Sequence, residues 1–544
     1  MVNKWHIACF IACRPCYYCF EPCMKQSPRR DNMKKTILIS TIATLLATPA
    51  FADELDPLSA KDRHSRAYDY RENQADMNYR KSPALHPTNG DESAVPNYQG
   101  QFHKSLPHSN NGMVNPSAYK SLLGAIKAGT FDAFEKVPAG GLVKLANPLA
   151  AQVYDLEGRD SHDYGIKLPP TLSSAEAGAE MVEVYAQALL RDLPFSNYVG
   201  NAHIMAVADE LAVLADFKGP TSPATLFRGV FEGDQIGPYL SQFLYKDIPA
   251  GPKVVDQKYT GYTSGQNFMT SYNEWLAIEN GQNPTASVVA TPARYMITGR
   301  DLARYVHQDF TYQAYHNAAL ILLSWGPGVW DKGNPYKAAT RQGAFIDLGA
   351  GEILDTVAKA GNAALRAAWF QKWNVHRRLR PEEYGGLAQN NPGLLHTQFT
   401  SSPVLMKVKS TYGNSLLPMA YPEGAPTHPA YPAGHATISG ACATVLKAFF
   451  KEDATIPSPV QPIASGESLE AIGDVLTIGG ELNKLASNIT LGRDWAGVHY
   501  RSDGTEGMLL GEEIGIAILK DWRNAHPKQP TLTLKKFDGE EIQI

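Results

Sequence analysis

The nonapeptide NAALILLSW (317–325) is apolar over almost its whole length and closes a segment whose spacing predicts one long helix over 299–325. A helix with so little polar surface has to sit inside a bundle. Its neighbours agree. In SAEAGAEMVEVYAQALLRDL (174–193) apolar residues recur every three and four positions, with Ser174 placed as N-cap. Further helices are expected near 201–217, 265–280, 352–376, 436–451, 467–490 and 505–522, whereas sustained β-alternation is scarce. No repeat of fixed period and no low-complexity linker interrupts the pattern. The fold class expected is therefore all-α: a helical-bundle domain over 171–544. Before it, residues 53–170 are rich in Pro, Gly, Asn, Asp and His with recurring Tyr, Phe and Leu. That composition suits a loop-rich N-terminal region packed on the core.

The first 52 residues are of another kind. From Met33 the chain reads MKKTILISTIATLLATPAFADE, two lysines and a short apolar run ending in Ala-Phe-Ala. This is the pattern of a secretory signal peptide (33–52) cleaved after Ala52. Residues 1–32 are then expected to reflect a start codon assigned too far upstream, and the protein to be exported, periplasmic or extracellular. Cys13, Cys16, Cys19 and Cys23 match an iron–sulfur ligand spacing, but the usual Pro after the last Cys is absent and no folding unit surrounds them. Beyond residue 52 only Cys442 remains, so stability has to come from the core rather than from a disulfide. Losing residues 1–52 removes seven basic and two acidic residues and takes the net charge from −4 to −9. Neither nucleic acid nor a membrane is expected as a partner. Any basic site has to be local.

Three Gly/Pro-punctuated stretches concentrate the candidates. In QKWNVHRRLRPEEYGG (371–386), Lys372, His376, Arg377, Arg378 and Arg380 fall within nine residues. Pro381 biases Arg380 away from helical geometry and so ends the helix carrying Lys372. The run equally suits a helix terminus in water, where cations favour the last turn, and several of the five charges are expected to be solvated. In HPAYPAGHATISGA (428–441), Gly434 allows close backbone approach and a helix begins near Ala436, aiming free N–H groups at His435. In ITLGRDWAGVHYRSDG (489–504), Arg493 and His499 are six apart, and Asp503 would share a face with His499 if that piece were helical. One Lys, two Arg and two His in a net-acidic chain suit a tetrahedral oxyanion: cations for its equatorial oxygens, imidazoles along its axis.

The order Lys-x7-Arg-Pro, Pro-x-Gly-His, Arg-x5-His-x3-Asp resembles the vanadium-dependent haloperoxidases and their relatives in the type 2 phosphatidic acid phosphatase superfamily. The stretches 147–166, 177–198 and 225–244 look like those of the algal and bacterial bromoperoxidase branch, as does the seven-residue gap between Lys372 and Arg380. The resemblance implies the helical-bundle fold of that superfamily and a vanadate cofactor. His499 would be the ligand to the metal, and Lys372, Arg380, Arg493 and the Gly434 N–H would hold vanadate oxygens. His435 would be the acid–base group, with His428, seven residues earlier, flanking the face where hydrogen peroxide and halide meet.

It also implies a bromide and iodide peroxidase producing a hypohalous-acid equivalent for a small organic acceptor, and self-association of the chain. An iodide-selective enzyme, an acid phosphatase with His499 as nucleophile, and a non-enzymatic oxyanion binder are the alternatives. Two positions depart from the family. Ala433 replaces the Ser of Pro-Ser-Gly-His, and Gly492 stands where a Ser often precedes the Arg, which weakens the expectation about halide preference and oxyanion affinity.

Overall fold

The structure, a computed structural model, describes residues 59–544 apart from Glu157. The signal peptide expected at 33–52 and the segment 1–32 lie outside the described residues. The chain divides into a unit ending at Arg66 and a compact unit, Ala67–Ile544, to which everything below belongs.

Its core helices are α1 (Ala175–Leu190), α2 (Gly299–Gln308), α3 (Gln313–Ser324), α4 (Ala350–Phe370), α5 (Pro381–Asn390), α6 (Gly434–Phe449), α7 (Ile478–Trp495) and α8 (Arg501–Ala525). Ser174 caps α1 as expected, its hydroxyl accepting from the Ala177 N–H. At the centre lies α6, every residue of which is buried except His435. It packs on α4, α7 and α8. Small residues make the contact with α8 possible: a Cβ on Gly440 would fall 2.0 Å from the Met508 carbonyl oxygen, and one on Gly511 2.1 Å from that of Thr437. The two backbones therefore approach closer than any side chain would allow.

The helix expected over 299–325 is two helices, broken after Gln308, where Asp309 turns extended (φ −67°, ψ 147°). Thr298 and Asp301 form a reciprocal cap that fixes the start of α2. The helix expected from 467 begins at Ile478, because Leu469–Ala471 instead pairs antiparallel with Val460–Pro462. Three more two-stranded antiparallel ribbons and a few isolated bridges make up the rest of the β-structure among the described residues. Between residues 80 and 174 the one α-helix longer than four residues is Pro116–Ala128. Phe102, Leu106, Val114, Tyr119 and Leu122 form a small second core there with Trp373, which ties this region to the turn that carries Lys372. Among the described residues no helix is long and apolar enough to cross a membrane.

Candidate oxyanion site

The first basic stretch owes its geometry to the way α4 ends. Past Phe370 the helix widens into a π-helical turn, Gln371–His376, and stops where Arg377 adopts a left-handed conformation (φ 45°). A π-turn accommodates an extra residue and rotates the side chains that follow. Arg380 then caps α5, its backbone N–H donating to the Glu383 carboxylate (2.6 Å). The expectation that several of the five charges here are solvated is wrong: Lys372, His376, Arg377, Arg378 and Arg380 are all buried. Carboxylates and carbonyls placed far away in sequence make this possible. Arg377 forks onto Glu92 (2.7 and 2.9 Å), and Arg378 bonds Asp503 (2.7 Å) and Glu180 (3.0 Å) while lying 3.9 Å over the Tyr500 ring. Lys372 Nζ donates to the carbonyls of Pro429 and Ala430 (2.6 and 2.7 Å).

Arg380 is the connector. It donates to the carbonyls of His428 and Val498, to His428 Nδ1 (2.9 Å) and to His499 Nε2 (2.9 Å). Burial first, and the Arg493 charge second, push its pKa down to about 10. Arg493, at the end of α7, donates from one guanidinium nitrogen to the Val306 carbonyl (2.6 Å), and its Nε has no partner.

His499 and Asp503 meet without sharing a helical face. His499 precedes α8, whose third residue is Asp503. That carboxylate accepts from the Tyr500 N–H (3.3 Å) and binds His499 Nδ1 (2.8 Å). The imidazole is thus fixed as the tautomer with its proton on Nδ1, leaving the Nε2 lone pair toward Arg380. Burial, followed by the charges of Arg380, Lys372 and Arg493, holds His499 well below the ordinary imidazole range. Burial and the same Arg380 and Lys372 charges lower His428, whose ring packs on Trp369 (centroids 4.6 Å apart).

These groups surround one cavity of about 350 Å³. Of the seven residues singled out from sequence, His428, Gly434, His435, Arg493 and His499 line it. Arg380 touches it through the two histidines it bonds, and Lys372 reaches it only through the Pro429 and Ala430 carbonyls behind His428. The helix carrying Gly434 starts at that residue rather than at Ala436, so its first N–H groups open at the cavity wall. A Cβ on Gly434 would meet Leu365 and Trp369, both of the same wall, at 3.4 Å.

Other members of the wall carry no spacing signal. The break after α2 presents Asp309 to His435, whose Nε2 lies 3.0 Å from its carboxylate. His307 stacks on Tyr421 (3.8 Å between centroids) and bridges the Tyr262 hydroxyl (2.8 Å) and Glu423 (2.5 Å). A period-based reading of one continuous helix hides both, because it places positions 307 and 309 in the middle of a packed rod.

The donor set fits an oxyanion such as vanadate. Lys372, Arg380 and Arg493 lie within electrostatic reach of one another, and burial first, then the Arg380 charge, holds Lys372 well below the ordinary lysine range. The Arg493 Nε is buried without a partner, and His499 Nε2 accepts from Arg380 at the cavity wall. The departures from the family have local readings. Ala433, the N-cap of α6, supplies no side-chain acceptor or donor, while any side chain at Gly492 would meet Val306 and Leu302 of α2 at 3.0–3.1 Å.

The family model for the second helical-bundle domain of VCPO matches residues 353–526, which contain all three basic stretches. A vanadium-dependent bromoperoxidase of Ascophyllum nodosum is 34% identical over 90% of this chain and 94% of its own length. One from Corallina pilulifera is 32% identical over 83% and 92%. Among solved structures, the homohexameric second vanadate-dependent bromoperoxidase of Ascophyllum nodosum superposes with a TM-score of 0.86 at 32% identity, covering 93% of this chain and 94% of that one.

Proposed function

Since the chain belongs to the vanadium-dependent bromoperoxidase family, we propose that the cavity between α2, α4, α6 and α7 is where it holds vanadate, and we assign the surrounding side chains their roles. The reaction is the vanadate-dependent oxidation of bromide by hydrogen peroxide. Bound vanadate supplies a Lewis-acid centre that makes peroxide electrophilic toward halide without a change in metal oxidation state. The chain's own work is to bind, orient and move protons.

His499 would offer Nε2, which in this structure accepts from Arg380 (2.9 Å), as the protein ligand, and Asp503 keeps the ring proton on Nδ1. Arg493, which lines the cavity, and Arg380, behind His428 and His499, would hold and neutralise the anion, helped by the backbone N–H groups that open α6. Lys372, pushed toward its neutral form by burial and by the Arg380 charge, would be drawn to its charged form by a bound anion beyond the Pro429–Ala430 carbonyls. His435, held by Asp309 and partly exposed, is placed to take a proton from incoming peroxide and return one to the departing oxygen. His428 and Trp369 shape the side on which halide arrives. The observation that carries this reading is the His499 ring, pinned by Asp503 on one nitrogen and facing Arg380 with the other.

A bromide-dependent peroxidase assay on vanadate-free protein, with and without added vanadate, tests it. Activity is expected only with vanadate, and His499→Ala is expected to abolish it. Phosphate-ester hydrolysis without vanadate, lost in the same variant, would overturn the assignment in favour of a phosphatase. Iodide is expected to be oxidised as well as bromide, and the acceptor is a small organic molecule that reacts with the hypohalous product. Self-association is supported by the hexameric assembly of the Ascophyllum relative. The apolar run before Asp53 supports export, and N-terminal sequencing of the secreted protein is expected to begin at that residue.

A further inference from the structure

Away from the cavity, the loop after Phe102 brings two histidines against the end of the helix Tyr272–Glu279. His103 Nδ1 and His108 Nε2 face each other at 2.9 Å, and the ligand atoms of His103, His108 and Glu279 all lie within 4.8 Å of one another. The Ser105 N–H donates to the Glu279 backbone carbonyl (2.8 Å), which fixes the loop on the helix end.

Glu279 is fully buried, yet neither of its carboxylate oxygens has a hydrogen-bond partner. A buried carboxylate without donors is among the costliest arrangements a core can hold. Its neighbours have nothing to give. Lys104 Nζ spends its three protons on Glu382 (2.6 Å) and on the carbonyls of Glu423 and Ala425 (2.7 Å each). Glu382 has Lys104 and the Ala425 N–H (2.6 Å). Glu383 has the N–H groups of His103, Lys104 and Arg380 (2.7, 3.0 and 2.6 Å). Only Glu279 is left over, in a group where three carboxylates face one ammonium. His108 Nδ1 and Ser105 Oγ are likewise buried without partners.

We propose that His103, His108 and Glu279 form a binding site for one divalent transition-metal ion, separate from the oxyanion cavity. Two imidazoles and a carboxylate are the ligand chemistry of zinc and its first-row neighbours rather than of calcium or magnesium. A dication adds positive charge beside three buried carboxyl groups and gives the Glu279 oxygens a partner. Glu383 Oε1 lies 3.2 Å from His103 Nδ1 and its other oxygen accepts from the Arg380 N–H, so the metal would brace the residue that caps α5.

The experiment uses the full chain, untagged, freed of vanadate and of metal by a chelator. Titration with Co2+ is expected to give visible d–d absorption that saturates at one ion per chain, Zn2+ is expected to displace it, and either ion is expected to raise Tm. Glu279→Gln, which keeps the shape and removes the charge, is expected to lose the absorption. A folded wild-type protein showing neither absorption nor a Tm shift with either ion overturns the proposal, as does a folded Glu279→Gln protein with an unchanged cobalt spectrum. Because no arm of the test reads bromide oxidation, it is independent of the function assigned to the cavity.

Discussion

At the scale of single residues, the site depends on groups that orient others. Asp503 is fully buried and serves three partners, the His499 ring, Arg378 and the Tyr500 N–H. Asp503→Asn removes the charge that keeps the proton on Nδ1, and partners of this kind are worth about 10–100-fold in affinity for a bound metal. The half-saturating vanadate concentration in reconstitution of activity is expected to rise by that factor. His376 is a different case. It is buried against Tyr431 with neither ring nitrogen bonded, and its pKa is lowered to about 3 by burial first and then by the Arg377 charge.

The unfolded chain binds a proton at this ring below about pH 6.5 and the folded chain does not until about pH 3. Stability is therefore complete above the upper value and falls with decreasing pH, by up to about 1.4 kcal/mol per pH unit from this group. His376→Phe is expected to make urea-derived stability less steep between pH 6 and pH 4, and to raise it at neutral pH by about 1–3 kcal/mol. Lys372, Arg380, Arg493, His435 and His499 were legible because motif spacing reports them. The acids around them were not: Glu92 and Glu180, which take the neighbouring Arg377 and Arg378, and Asp309, which holds His435, are isolated acids in segments whose approach is decided by packing.

At the scale of elements, the close contact of α6 with α8 positions two walls of the site, since α6 begins at Gly434 and His499 lies two residues before α8. Gly511→Ala would place a methyl group on the Thr437 carbonyl and force the helices apart. Such overpacking costs about 1–3 kcal/mol, and chemical denaturation is expected to show that loss together with weaker vanadate binding. Helix existence was readable from the 3.6-residue period along most of the chain, with Ser174 and its cap as the clearest case. Interruptions were not. The break at Asp309 lies in a stretch whose apolar pattern runs on across it, and the π-turn after Phe370 has no compositional mark at all. Both sit where the site needs a side chain turned off the regular helical path.

At the scale of the whole molecule, the helix-rich bundle follows from patterning, and the assembly does not. Exposed apolar side chains such as Val199, Met205 and Val213 remain on the surface of one chain. Light scattering on the purified protein is expected to give a mass several times that of a single chain, unchanged by removal of vanadate. The site draws on residues from Val306 through Asp503, so its last two contributors emerge near the end of synthesis. His499 has no clamp until the chain extends through Asp503, and α6 has only part of its cover until the C-terminal helix is in place. A chain truncated before Asp503 is therefore expected to lack a complete oxyanion cavity.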